Sequence, residues 1–302
     1  MQPQSAPNRR QRQPRFGKVL GYYATVFLLT HCLAGAYLLS GGSWSRPDSF
    51  VFANLAMLIP GLVAAAAARW LFREPVREAL GLRWVFDGWL VVAWLLPLLL
   101  SAAVLLLGLA LPGASYSAGL VGLGERFQLN SEQLHQLVHP IGQLPLVWSL
   151  VAQALVLGPT LCALTGLGEE AGWRGLLFHE LRDWGFWRRS WFIGFLWGIW
   201  HVPLVFEGYG YPHHPLLGAL LLVAFTLLAS PLYVFLRLRS GSVLAPAVCH
   251  GSFGASMLLT FAPIAGGSEL TSGLLALPGV VIMLAVNLAL LVILRRNAPT
   301  TP

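Results

Sequence analysis

Eight apolar runs, at about 19–40, 51–72, 89–111, 146–168, 190–206, 215–236, 242–263 and 272–294, take up most of this chain. Crossing a hydrocarbon core about 30 Å thick takes roughly 20 apolar residues of helix, and only the fifth run is short by that measure. Charged residues are 10% of the 302, against about 25% in soluble domains, which excludes a soluble globular class. The expected fold is therefore all-α: a polytopic transmembrane helical bundle of about eight spans over 19–294. A basic tail over 1–18, rich in Gln and Pro, precedes it and is expected to be disordered.

The net charge of +7 could point to nucleic acid, but the basic residues lie scattered between apolar runs and form no stripe. Counted loop by loop they alternate. The tail, the loop after the second run, the segment 174–189 and the ends of the sixth and eighth runs hold seventeen, while the opposite loops hold only Arg46 and Arg126. That split predicts an even span count with both termini in the cytoplasm. Cys32, Cys162 and Cys249 sit inside apolar runs without paired spacing, so neither a disulfide framework nor a thiolate metal site is expected. No cleavable signal peptide is expected either.

One stretch breaks the apolar pattern. Gly168-Glu169-Glu170-Ala171-Gly172-Trp173-Arg174-Gly175 follows about twenty mostly apolar residues. A charge at membrane depth costs about 2.5–3.5 kcal/mol on insertion scales, so two adjacent carboxylates need a reason. On a helix Glu170 and Arg174 share a face and neutralise one another. Glu169 points about 100° away, toward something else.

Two histidines also lie within apolar runs: His201 in Trp200-His201-Val202-Pro203, and His250 in Cys249-His250-Gly251. An ionisable group inside a span is a functional-site candidate. Measured from span ends set by hydropathy, His201 falls about 16 Å and His250 about 12 Å from the cytoplasmic side. The fourth span brings the two glutamates to the same slab. A carboxylate and two imidazoles at one depth are the parts for activating a water, with Glu169 as general base and the histidines as orienting donors or metal ligands. His31, alone in the first run, is expected to be buried and hydrogen-bonded. His135, His139 and the pair His213-His214 are expected to be surface residues. Trp173 is expected as an interfacial anchor, His179 and Glu180 as an exposed face, and Glu207 in a loop. The polar piece around Asn130-Ser131-Glu132-Gln133 is expected to form an interfacial helix.

Glu-Glu-x-x-x-Arg, then a span with one His before Val-Pro, then a span whose His follows Ser-Val-Leu-Ala-Pro, resembles the CPBP intramembrane proteases, which include the type II CAAX prenyl endopeptidases and proteins like lysostaphin resistance protein A. The resemblance covers about 145–265, the expected catalytic core. It implies an intramembrane endopeptidase with Glu169 as base, Glu170 as its partner, Arg174 in support, and His201 and His250 completing the site. Two positions depart from the family pattern. Trp197 stands where Phe is usual, and Gly254 where Asn is usual, which removes an amide donor on the face of His250. The resemblance leaves the cofactor unknown; zinc on Glu169, His201 and His250 would only just make a catalytic site. The expected substrate is a peptide or membrane-protein tail at the cytoplasmic side. The expected location is a bacterial cytoplasmic membrane, with the bilayer as partner and no nucleic acid. Gly254 leaves a second reading, a non-catalytic membrane scaffold or bacteriocin-immunity protein on the same fold.

Overall fold

The computed structural model describes residues 15–296 other than 45, 47–48, 131, 134–140 and 142–143. His135 and His139 lie outside the described residues, as do most of the basic tail and, within the polar piece at 130–133, Ser131. The Asn130 and Gln133 side chains do accept from one another's backbone N–H, a reciprocal helix-capping pair.

All eight apolar runs become helical. The first is α1 (Phe16–Leu39). The second is α2 (Ser49–Ala56) and α3 (Ile59–Ala66), continued by a π-helical turn Ala67–Phe72. A short α4 (Val76–Ala79) precedes α5 (Gly88–Leu109), whose N-terminus is capped by Asp87 accepting from the Trp89 N–H. In the following loop lie β1 (Ser115–Tyr116) and α6 (Val121–Phe127). The fourth run splits into α7 (Leu146–Leu157) and α8 (Leu161–Glu170), bent by 58°. Pro159 lies in that break, and a proline lacks the N–H a continuous helix would need there. Helical structure continues past α8 as π turns over Ala171–Leu177 and a last turn to Glu180. Then come α9 (Phe186–Phe206), α10 (Pro215–Ser240), α11 (Leu244–Ser256), β2 (Ile264–Ala265) and α12 (Leu277–Arg296).

The fold is a polytopic helical bundle. Five helices are long and apolar enough to cross a membrane, and six if the bent pair counts as one span. The expected count of eight exceeds this because α11, at 13 residues, is too short to span alone, and α9 carries too polar a sequence. The eight runs nonetheless alternate between two ends. At one end Val243 N–H donates to Gly81 O, Ser242 to Arg83 O and Arg237 to Arg174 O. At the other, β1 pairs antiparallel with β2, and Tyr211 donates to Leu275 O at 2.6 Å. The short α11 is the centre of the bundle and packs against α5, α7, α8 and α10.

Three expectations about the arginine-rich end need correction. Residues 15–18 belong to the folded bundle: Arg15 donates to Glu74 at 2.6 Å and to Glu180 through both Nη2 and Nε, and Lys18 to Leu71 O. Glu180 is thereby 6% exposed and is no open face, because a two-point guanidinium bond replaces its water. His179 is half-buried against Glu74 at 2.5 Å. Burial pushes the Glu74 carboxyl up, but the bonds from His179 and Arg15 outweigh it and hold it below its ordinary value.

Candidate active site

Glu169 and Glu170 end α8 in the middle of the bundle, and the π turns that follow carry Trp173 and Arg174. Each carboxylate finds its first partner four residues on. Arg174 Nη1 donates to Glu170 Oε1 at 2.9 Å with both side chains fully buried. Trp173 Nε1 donates to Glu169 Oε2 at 3.1 Å. Trp173 is 0% exposed, so the interfacial-anchor reading is wrong. Its indole N–H serves a buried carboxylate instead of a lipid headgroup. The Arg174 guanidinium lies over the rings of Trp197 and Tyr233, at 4.6 and 4.5 Å, which holds a cation with unpaired N–H groups away from water.

The second shared partner of Glu169 comes from α9. Trp197 Nε1 donates to the same Oε2 at 2.6 Å, a bond that Phe could not make. Glu169 is 2% exposed, and its other oxygen, Oε1, has no protein donor among the described residues. The Trp197 ring centroid lies 6.1 Å from that of His201 and 5.7 Å from that of His250, so one indole joins the acid to both imidazoles. Tyr233 closes the other side of His250 at 5.9 Å.

Both imidazoles have their Nδ1 engaged by an acceptor. His250 Nδ1 donates to Glu170 Oε1 at 2.9 Å, and His201 Nδ1 donates to the Trp197 carbonyl at 2.9 Å. An acceptor at Nδ1 fixes the proton there and leaves Nε2 for water or substrate. Gly254, one turn beyond His250, presents open space: a Cβ built there meets nothing within 4 Å.

The helices that carry these residues start at different levels. The α9 helix begins at Phe186, four residues before the hydropathy boundary, so His201 lies fifteen residues along it, about 22 Å at 1.5 Å per residue. His250 lies six residues into α11, about 9 Å by the same rise. The residues meet through side-chain bonds across offset helices.

The potential ligand atoms of Glu169, His201 and His250 do not all lie within 4.8 Å of one another. Among the described residues the one trio of potential ligand atoms within 4.8 Å of one another is Glu74, His179 and Glu180, already bridged by Arg15. With Glu169 Oε2 and both Nδ1 atoms engaged, a metal here would have to be held by Glu169 Oε1 and the two Nε2 atoms.

Next to Gly254 lies a cavity of about 320 Å³, lined also by Trp44, Arg126, Glu207, Tyr209 and Phe261. Glu207 caps the C-terminus of α9, and burial pushes its carboxyl up. The cavity sits at the end of the bundle away from the arginine-rich segment 174–189. Over it, Glu269 accepts from the backbone N–H and Nδ1 of both His213 and His214. The two imidazoles are exposed, as expected, but sequence reading missed the acid between them. Burial pushes the Glu269 carboxyl up, and those bonds more than reverse it, to below its ordinary value. His31 departs from expectation: its ring stacks edge-on against Phe27 at 4.3 Å, and neither nitrogen has a hydrogen bond of good geometry.

A buried acid and two oriented imidazoles thus lie together inside a polytopic helical bundle. Residues 148–256 match the family model for type II CAAX prenyl endopeptidase Rce1-like proteins, which bears out the resemblance to the CPBP intramembrane proteases over this segment. The matched segment contains each of Glu169, Glu170, Arg174, Trp197, His201, His250 and Gly254. No curated protein matches the chain.

Proposed function

We propose that this protein is an intramembrane endopeptidase in which Glu169 activates a water to hydrolyse a peptide bond. The observation that carries this reading is the asymmetry of Glu169: Oε2 held by two indole N–H donors, Oε1 without a protein donor among the described residues. A carboxylate fixed at one oxygen presents the other in a set direction, as a general base requires. Oε1 takes the proton of the attacking water and returns it to the leaving amine. His250, held by Glu170, and His201, held by a backbone carbonyl, turn Nε2 to the reacting carbonyl and its water. With Gly254 offering no amide, His250 in its doubly protonated form, Nδ1–H on Glu170, is the proposed donor to the developing oxyanion through Nε2–H. Glu170 and Arg174 serve as positioning residues, and no metal enters any step.

The substrate is a peptide or membrane-protein tail. The position of the cavity favours entry at the end carrying the 207–212 loop, in place of the arginine-rich end expected from the sequence. The scaffold reading is not favoured, because the matched family is one of endopeptidases. The full chain reconstituted in vesicles and given a set of tail peptides, with products read by mass spectrometry, tests this. Glu169→Gln and His250→Ala are each expected to lose at least about a hundredfold in rate, the usual worth of acid–base catalysis. Cleavage at the wild-type rate by Glu169→Gln would remove the base from the scheme.

A further inference from the structure

At the arginine-rich end three guanidiniums gather with no acid paired to any of them. Arg189, the fourth residue of α9, and Arg237, in the last turn of α10, both lie over the Phe178 ring, at 3.9 and 5.0 Å. Arg83, in the loop between α4 and α5, stands beside Gly241, and its charge and that of Arg189 both bear on Arg237. None of the three forms an ion pair with a carboxylate among the described residues. The fold accounts for Arg237: a cation suits the negative end of α10, and its Nε donates to the Arg174 carbonyl at 3.1 Å.

Arg189 has no such reason. It is 6% exposed, its Nε has no hydrogen-bond partner, and it sits at the positive end of α9, where a cation is disfavoured and no side chain caps the backbone N–H groups. The Phe178 face offsets part of the cost of burying it. The rest calls for a counter-charge, and an anion held there would answer the guanidiniums and the helix end together. Guanidinium N–H pairs match phosphate oxygens in geometry. Exposed apolar side chains fringe the cluster: Trp84 and Phe86 follow Arg83, Trp191 follows Arg189 and Leu238 follows Arg237. Tryptophan and arginine together mark a membrane–water boundary, where basic pockets between helices take lipid head groups. A soluble phosphate would leave that fringe uncovered.

We infer that Arg83, Arg189 and Arg237 form a binding site for the phosphate of an anionic phospholipid, whose acyl chains lie against the exposed apolar residues beside them. The site lies apart from Glu169 and its partners and does not depend on the endopeptidase reading.

Full-length protein in dodecyl maltoside is titrated with phosphatidylglycerol and with phosphatidylcholine, with bound lipid read by native mass spectrometry and thermal unfolding followed in parallel. Phosphatidylglycerol is expected to bind at least about tenfold tighter and to raise the melting temperature. Arg83→Gln and Arg189→Gln should each bring its affinity down toward that of phosphatidylcholine, and Arg189→Lys, which keeps the charge but not the fork, should retain part of the preference. Arg83 is exposed, so its replacement leaves the core packed and keeps the test readable where Arg189→Gln does not fold. Arg69→Gln, which removes an exposed arginine of the same end outside the cluster, should bind phosphatidylglycerol as wild type does. Equal binding of the two lipids overturns the site. So does a loss as large in Arg69→Gln as in Arg83→Gln, which would mean diffuse attraction to surface charge. Inorganic phosphate that displaces phosphatidylglycerol and by itself raises the melting temperature, in an Arg189-dependent way, would overturn the lipid assignment and make the cluster a site for soluble phosphate.

Discussion

Trp197 is the residue that most separates what the site is from what its sequence shows. The Glu170–Arg174 pair was legible because four-residue spacing on a helix puts both on one face. The Glu169–Trp173 pair has the same spacing, but tryptophan's preference for membrane interfaces argues for a lipid-facing anchor, and that preference loses once the segment lies mid-bundle. The bond from Trp197 to Glu169 spans 28 residues and depends on how α9 packs, so no local rule reveals it. In a family position where Phe is usual, the indole adds a donor at 2.6 Å to the proposed base. A hydrogen bond to a charged group is worth about 1.5–3 kcal/mol, so Trp197→Phe should lower kcat by about tenfold to a hundredfold with KM nearly unchanged. Trp173→Phe, which loses the longer bond, should cost less. Steady-state kinetics on the two purified variants checks the order, and a Trp197→Phe protein with wild-type kcat would show that this bond does not orient Glu169.

Among the elements, hydropathy located the helices because each of the eight apolar runs becomes helical. It could not show where a run breaks, although Pro159 marked the place, nor that α11 stops after 13 residues. What sets the spacing of α8 and α11 is backbone contact. A Cβ on Gly251 would run into the Ala163 N, the Gly158 O and the Cys162 carbonyl carbon, and one on Gly166 would come within 2.9 Å of the Ala247 carbonyl oxygen. Small residues at such crossings let helices approach closely enough for Glu170 to reach His250. Overpacking a tight interface costs about 1–3 kcal/mol or more, so Gly251→Val should lower both the melting temperature and the yield of monodisperse protein. Gly254, three residues on, faces open space, and Gly254→Ala should melt within experimental error of wild type. Thermal unfolding of both variants in detergent decides it: equal melting temperatures would mean that α8 and α11 are not held at backbone contact.

At the scale of the molecule, the bundle has two unlike ends, and the cavity belongs to the one poor in arginine. Arg15, Glu74, His179 and Glu180 tie together the basic end, while Arg126, Glu207 and Glu269 gather at the other, around the cavity. Alternating charge made the two ends legible in the sequence. Which end the site serves was not, because the cavity beside Gly254 is lined by segments far apart in sequence. If arginine marks the cytoplasmic face, the mouth of the cavity and the proposed route of the peptide face outward. His213, whose side chain is 67% exposed beside the cavity, and Asp183, in the exposed turn between the Phe178–Glu180 turn and α9, report the two ends. In a background with Cys32, Cys162 and Cys249 replaced, a membrane-impermeant maleimide should label His213→Cys on intact cells and Asp183→Cys only after lysis. The opposite pattern would invert the bundle, return the cavity to the cytoplasmic face, and show that the arginine count misread a chain whose basic loops are engaged in ion pairs. Because the cavity and the ends are fixed relative to one another, this one measurement also decides which compartment supplies the peptide.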